Sequence, residues 1–452
     1  MPEWNFDPTA PLLLHPRARL LRTNFGALLQ EAVTSRSRAL SQSEALGLAL
    51  CGGTHTFSEI VPAMAELYGV PRERVEEDMG KLFSEYLRDG LLIVLPCPLP
   101  EPAYDHREFI FVPEEDPRAV HPSKLLNLAL QLTEGCVLAC AYCYALSGPS
   151  DHGRDMPTRL ALRLLREGRE AGATNLIVGG GEPLIHPDVS EILERAIRLG
   201  YQDIRVSTKA TRVTRELAEG LRRAGLSQIQ VSLDSWVPSE VDRLVGGGNA
   251  LAHALQGLVY LLEQNFRVTV RATITRLNAE SFPELVRGMA RLGLTSFWAG
   301  TVVPVGRATA GLLPTPEQLA RLESDLQQVR REMPGISIPP VGSDALTQCG
   351  GGRLGVYVLA DGRVVPCDLI ATLVTPSEVL GNVHEQSLPE IWNGERIRAF
   401  RQPRVSHPVC LSCKTLALCA GGCRVRAFVA YGDQNQPDPL CPKLRSALWH
   451  DE

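Results

Sequence analysis

The chain has 452 residues, 44% of them hydrophobic and 21% charged, an ordinary soluble composition with room for about three domains. A net charge of −5 gives no electrostatic reason to bind nucleic acid, and no apolar run approaches the ~20 residues that span a membrane. The start, MPEWNFDPTA, has no basic stretch followed by an apolar one, so no export signal is read and the cytoplasm is the expected location. Twelve cysteines then need a reason other than disulfides, which a reducing compartment disfavours; metal or cluster ligation is the better one.

The first block, residues 1–95, begins with short β segments at 17–22 and 27–33 and a polar turn, TSRSR. Ser41 caps a helix, SQSEALGLALC, with Glu44 completing a capping box. A second helix follows Thr56 and stops at Gly69; a third opens at Pro71 and closes at Gly90. LLIVL reads as a last strand. Two or three strands with three helices predict a small winged-helix domain. Its third helix carries six acidic and four basic residues over 71–89, the wrong balance for gripping phosphates. Residues 96–122, rich in proline and acid, read as a linker.

Residues 123–335 alternate β segments (125–132, 174–180, 202–208, 228–234, 266–275, 295–303) with helical ones (158–172, 188–200, 214–225, 250–264, 282–293), and a further helix covers 316–333. Apolar, β-branched strands separated by amphipathic helices predict a parallel sheet with right-handed crossovers. Six units fall short of the eight that close a barrel, so the expected α/β fold is an open, partial (β/α)6 TIM-type barrel. The last block, 336–452, is short of long helices. It carries Cys349, Cys367, Cys410, Cys413, Cys419, Cys423 and Cys441, with too few apolar residues between them for an independent core. Bound inorganic groups would supply the missing cross-links.

Three cysteines, Cys136, Cys140 and Cys143, follow the first barrel strand in the loop EGCVLACAYCYA. Three thiolates can hold three irons of a [4Fe–4S] cluster and leave the fourth open, whereas structural zinc usually takes four protein ligands. A loop at the C-terminal end of a barrel strand is also where such folds place active sites. The second strand ends in GGGEP (179–183), where glycines allow a backbone to approach a ligand closely. The third ends in Ser207-Thr208-Lys209 and the fourth in Ser232-Leu233-Asp234, polar side chains suited to ribose hydroxyls and a carboxylate.

On these motifs, residues 125–310 resemble the radical S-adenosylmethionine superfamily. The resemblance implies that the open iron binds S-adenosylmethionine and that one electron releases a 5′-deoxyadenosyl radical. It implies cofactor contacts from Tyr142, Gly180, Gly181, Glu182, Ser207, Ser232, Asp234 and Arg243, and an electron donor such as a flavodoxin or ferredoxin. The last block resembles a SPASM domain, which implies two auxiliary clusters. Cys349, Cys367 and Cys423 would hold one, with the ligand set one short because VGSDALTQ (341–348) offers no extra cysteine. Cys410, Cys413, Cys419 and Cys441 would hold the other. Two zinc sites are the competing reading. Asp368, after Cys367, is either a base, as in sulfatase-maturing relatives, or a turn cap. His407 is expected at the surface rather than as a ligand, and Cys51 and Cys97 as inert thiols in apolar surroundings.

The first block resembles the PqqD-like peptide chaperone of pyrroloquinoline quinone synthesis, which binds a leader peptide as an added strand. The resulting expectation is a radical SAM/SPASM oxidoreductase that modifies a ribosomally made precursor peptide, by a cross-link or another oxidative change. The alternatives are a maturase of a folded protein, an enzyme acting on a small cofactor precursor and, from another class, an iron–sulfur redox-sensing regulator.

Overall fold

The structure is a computed structural model that describes residues 4–23, 26–31, 37–103, 105–109, 124–149, 153–246, 248–341, 349–373, 378–402, 405–413, 416–441 and 443–444. It divides into two compact units: Met1–Lys124 with Lys414–Ala420, and Leu125–Cys413 with Gly421–Glu452.

The first unit runs β1 (Pro11–Leu14), β2 (Ala18–Thr23), β3 (Gly26–Glu31), β4 (Ser37–Ser41), α1 (Gln42–Leu50), β5 (Gly52–Thr56), α2 (Phe57–Tyr68), α3 (Arg72–Arg88) and β6 (Leu92–Val94). Six strands stand where the sequence reading expects two or three. They form two antiparallel three-stranded sheets, ordered β5-β1-β6 and β2-β3-β4. The capping box at α1 is present: Glu44 N–H donates to Ser41 Oγ, and Ser41 N–H donates to the Glu44 carboxylate at 2.7 Å. The core joins Leu46, Ile60, Met64 and Phe83, with Phe57 edge-on to Phe83 at 5.7 Å between ring centroids. The expected linker starts too early. Leu99 and Ala103 N–H donate to the carbonyls of Gly53 and Gly52, and Phe109 is buried in this core. Residues 110–123 lie outside the described residues.

The second unit follows the expected alternation: β7 (Asn127–Thr133), α4 (Thr158–Glu170), β8 (Asn175–Gly180), α5 (Val189–Arg198), β9 (Asp203–Thr208), α6 (Arg215–Arg223), β10 (Gln228–Ser232), α7 (Pro238–Val245), α8 (Ala250–Glu263), β11 (Arg267–Ile274), α9 (Phe282–Arg291), β12 (Ser296–Thr301) and α10 (Pro316–Glu332). The short helix α7 was not expected. Strands β7 to β12 pair in parallel in chain order. The sheet does not stop at six strands. β13 (Gly355–Val358) pairs parallel to β7, and β14 (Arg363–Val365) and β15 (Gly381–Asn382) continue antiparallel, giving nine strands with β12 and β15 at the edges. The expected break between barrel and last block at 335/336 is therefore not a break in the sheet.

Alternation along the strands gives this sheet two unlike faces. Leu128, Leu130, Val178, Val206, Val231, Val270 and Phe297 pack with helix residues such as Leu164, Ile192, Leu221, Leu261 and Leu285 in one core. On β9 to β12 the intervening positions are largely polar and pair across strands, whereas Ala129, Ile177, Tyr357 and Val365 form a small apolar cluster on β7, β8, β13 and β14. Gln230 Nε2 donates to Ser207 Oγ at 2.8 Å, Thr269 and Ser296 hydroxyls are 3.0 Å apart, and the Arg271 guanidinium lies 4.1 Å from the Trp298 ring centroid.

Candidate active site

The cysteine loop leaves β7 and is tied from three directions. From β8, Gly181 N–H donates to Thr133 O at 2.8 Å and Glu182 N–H to Gly135 O at 2.9 Å. A Cβ on Gly181 would collide with the Gly135 carbonyl, and one on Gly180, at φ +138°, with that of Thr133. These two glycines thus exist for close backbone approach. From α7, the carbonyls of Val245 and Leu244 accept Ala139 and Ala141 N–H at 3.1 and 2.8 Å, and Leu138 packs with Val241, Leu244 and Ala250. After β12, Arg307 N–H donates to Cys143 O, and its guanidinium donates to the carbonyls of Cys140 and Ser147. Cys140 is buried; Cys136 and Cys143 are half-buried. Burial pushes the Cys136 thiol up to about 11.

Beside this loop, the ends of β8, β9 and β10 converge. Glu182 is buried, and its carboxylate accepts Lys209 N–H at 2.9 Å and Leu184 N–H at 3.2 Å. Burial raises its pKa above the usual carboxylate value, and these donors oppose the rise. The Tyr142 hydroxyl donates to Asp234, and Lys209 Nζ lies 2.5 Å from both the Tyr142 oxygen and Asp234 Oδ2. Burial drives the Tyr142 phenol well above its usual pKa, and Asp234 adds to the rise, so the phenol stays a donor. For Lys209, burial disfavours the ammonium, but Asp234 and the neighbouring thiols outweigh it and the net shift is upward. Ser232, Lys209, Thr211 and Asp234, together with Leu138 and Leu244, line a cleft of about 300 Å³ that includes its open mouth.

Tyr142, Gly180, Gly181, Glu182, Ser207, Ser232 and Asp234 therefore lie on neighbouring strand ends or the cysteine loop. Arg243 does not join them: it is exposed on α7 and does not line the cleft. Asp368 accepts Leu369 N–H at 3.0 Å, the turn-capping alternative, and its charge also reaches the half-buried Tyr144 and the buried Tyr357.

Among the later cysteines, Cys349, Cys367 and Cys423 lie within electrostatic reach of one another. Burial, with Asp368 and then the other two thiols, pushes Cys367 well above its usual pKa. Cys423, raised mainly by burial, reaches about 11. Cys410 and Cys413 share one turn, and Lys443 Nζ lies 2.9 Å from Cys413 Sγ. Asp438, buried, accepts Cys423 N–H and pairs with Arg426, while its carbonyl accepts Cys441 N–H. Cys419 belongs to the first compact unit. His407 Nδ1 accepts Val409 N–H as a helix cap. Cys51 is buried, but Cys97 is exposed rather than in apolar surroundings. The stretch VGSDALTQ, apart from Val341, lies outside the described residues. Among the described residues no three His, Cys, Asp or Glu side chains are gathered tightly enough for a single metal ion.

Sequence reading gave no role to Arg307 or Asp438, and it placed Lys209 only in a polar strand end, without its pairing to Asp234.

The donor set fits an iron–sulfur cluster with an open site: three thiols of one loop, beside a glycine-lined backbone and a polar cleft. Residues 130–288 match the family model of the Radical SAM superfamily, and 349–414 match that of the SPASM iron–sulfur cluster-binding domain. An AdoMet-dependent heme synthase of Methanosarcina barkeri is 30% identical over 340 residues, covering 70% of this chain and 95% of that protein. A PqqA peptide cyclase of Rhizobium meliloti is 30% identical over 345 residues, covering 74% and 89%. The crystal structure of Streptococcus suis SuiB bound to precursor peptide SuiA aligns with a TM-score of 0.66 at 18% identity, covering 95% of this chain and 100% of that one, a likeness of fold. With loop, glycine strand and polar strand ends in place, the chain belongs to the radical SAM superfamily, an enzyme with an S-adenosylmethionine-binding [4Fe–4S] cluster and auxiliary clusters in a SPASM domain.

Proposed function

We propose that this enzyme modifies a ribosomally made precursor peptide, binding its leader on the first unit and oxidising its core at the polar face of the long sheet. The observation that carries the reading is the first unit itself. Its two small sheets have edge strands β2, β4, β5 and β6, of which β5 already receives Leu99 and Ala103 N–H, and a strand edge is a template for an extended peptide. The acidic balance of α3 favours the PqqD-like, winged-helix reading of residues 1–95 over a DNA-binding one. The SuiB alignment omits only about 5% of this chain, fewer residues than the unit contains, so most of the unit has a counterpart in a peptide-bound fold.

When bound, the first cluster and S-adenosylmethionine supply a 5′-deoxyadenosyl radical for hydrogen abstraction. The chain's own residues do the rest. Cys136, Cys140 and Cys143 hold that cluster. Gly180 and Gly181 bring backbone groups to the cofactor, and Glu182 locks the ends of β8 and β9. Ser207, Ser232 and Asp234 offer polar contacts; Arg243 reaches the cofactor only if its side chain turns inward from the surface of α7. Cys349, Cys367 and Cys423 hold one auxiliary cluster, and Cys410, Cys413, Cys419 and Cys441 the other. Asp368 would take the proton that an oxidative step releases, an auxiliary cluster would accept the accompanying electron, and a flavodoxin or ferredoxin would supply the starting electron.

The heme synthase relative favours a second reading, a small tetrapyrrole-like substrate. The reconstituted enzyme separates the two. Short peptides encoded beside its gene should yield 5′-deoxyadenosine together with a peptide mass change, lost when their leaders are removed. Turnover of a tetrapyrrole with no response to any such peptide would sink the peptide reading.

A further inference from the structure

Lys209 follows β9 and Asp234 follows β10, so adjacent strand ends carry opposite charges at the same end of the sheet. Their side chains are 16% and 3% exposed and 2.5 Å apart. Tyr142 completes the group: its hydroxyl donates to Asp234 and touches Lys209 Nζ, whose ammonium lies 5.2 Å from the ring centroid. Tyr142 sits between Cys140 and Cys143, so both charges are held against the cysteine loop itself. Neither is free to swing away. Asp234 Oδ1 accepts Thr273 N–H at 2.8 Å, and the Lys209 backbone is fixed by Glu182. Charges removed from water in this way act on their neighbours with little screening.

From this juxtaposition we infer that Lys209 and Asp234 are an opposed pair of charges that sets the reduction potential of the S-adenosylmethionine-binding cluster. Reduction adds one electron, and one negative charge, to the cluster held by Cys136, Cys140 and Cys143. The ammonium stabilises that added charge and raises the potential; the carboxylate opposes it and lowers the potential. Local charge and hydrogen bonding around the sulfurs are established levers on such clusters. Burying two ions also costs desolvation that an apolar pair bridging the same strands would avoid. Both are thus positioning residues for an electron, acting through the cluster. The inference holds for any substrate and is independent of the peptide reading.

The test is a redox titration of the holoenzyme followed by electron paramagnetic resonance, reading the signal that changes when S-adenosylmethionine is added. That signal separates this cluster from the auxiliary ones. Lys209→Met should lower the reduced-to-oxidised ratio at fixed potential about tenfold, or about 59 mV more negative for one electron. Asp234→Asn should shift it in the opposite sense. The double variant should return to within about threefold of the native ratio. Lys209→Arg, which removes no charge, should stay within the same limit. Shifts of opposite sign support the inference. Shifts of one sign, or both below about twofold, overturn it and leave a mechanical tie between strands. If Lys209→Met fails to hold the cluster, Lys209→Gln and Asp234→Asn are read by the same signs. Loss of the cluster in every charge-removing variant also counts against the inference.

Discussion

Around Cys136, Cys140 and Cys143 the main chain is tied to β8, α7 and the segment after β12, and Leu138 anchors a small apolar cluster beneath. Around Cys423 and Cys441 the ties converge on one side chain. Asp438 is 1% exposed and accepts Cys423 N–H at 2.9 Å, Leu440 N–H at 3.0 Å and the Arg426 guanidinium. Its backbone joins Gly421 O and receives Cys441 N–H. The first region is shaped by the ends of the sheet's strands; in the second, no strand lies among the described residues next to Cys423 or Cys441, and beside the packing of Val425 on the main core the ties rest on a buried ion pair. The contrast leads us to expect that the first loop keeps its shape without a cluster and that the cysteine-rich tail depends more on one.

The largest expected effects follow from that contrast. Replacing Cys136, Cys140 and Cys143 together with Ala should abolish 5′-deoxyadenosine formation and remove about four of some twelve irons. The unfolding temperature should drop by no more than about 3 °C, roughly 1 kcal/mol, because none of the loop's main-chain ties is lost. A collapse in stability would mean that the metal, not the sheet, shapes this loop. Asp438→Ala should do the reverse. Breaking a buried pair costs about 3–5 kcal/mol, so the melting temperature should fall steeply and iron should leave the last block. The cluster signal that responds to S-adenosylmethionine should persist. If both signals vanish together, the two regions are not independent.

The sequence made the first region far more legible than the second. The six strands and every helix of the βα alternation except α7 announced themselves by periodicity, and the cysteine triplet and GGGEP fell at strand ends as expected. What escaped depends on distant contacts. α7 is eight residues with Pro238 at its start, too short for a periodic signal, yet it grips the cysteine loop. β13 is four residues, GVYV, and only its pairing with β7 shows that the last block extends the sheet. β5, GGTHT, hides behind two glycines. The polar face was readable in part: DIRVST, QIQVS and RVTVRATI alternate, whereas a parallel strand buried on both faces is apolar throughout. Arg307 and Asp438 carry no local signature, because each acts on residues brought near only by folding.

A smaller effect probes how tightly β8 must approach the loop. A methyl group at Gly181 has no room beside Gly135 O and must push the GGGEP strand end away. Gly181→Ala should weaken S-adenosylmethionine binding about tenfold, near 1.4 kcal/mol, measured by equilibrium dialysis on the reconstituted protein. Iron content should hold, since all three thiols remain. Unchanged affinity would mean that the backbone approach serves packing alone.

The smallest effect on S-adenosylmethionine binding belongs to Arg307, the third tie of the loop. Arg307→Met removes guanidinium hydrogen bonds to the carbonyls of Cys140 and Ser147 but leaves the backbone bond from residue 307 to Cys143 O at 3.0 Å. Gly306 at φ +65° also keeps its approach to the carbonyls of Cys143 and Tyr144. Two charge-assisted bonds lost from a half-buried group, with the main chain still in place, should cost about 1–2 kcal/mol. Iron should then dissociate faster under chelator challenge, with the affinity for S-adenosylmethionine within about threefold of native, or less than about 0.7 kcal/mol. A stability loss as large as that of Asp438→Ala would erase the contrast between the two regions, because the first would then hang on a single side chain as well.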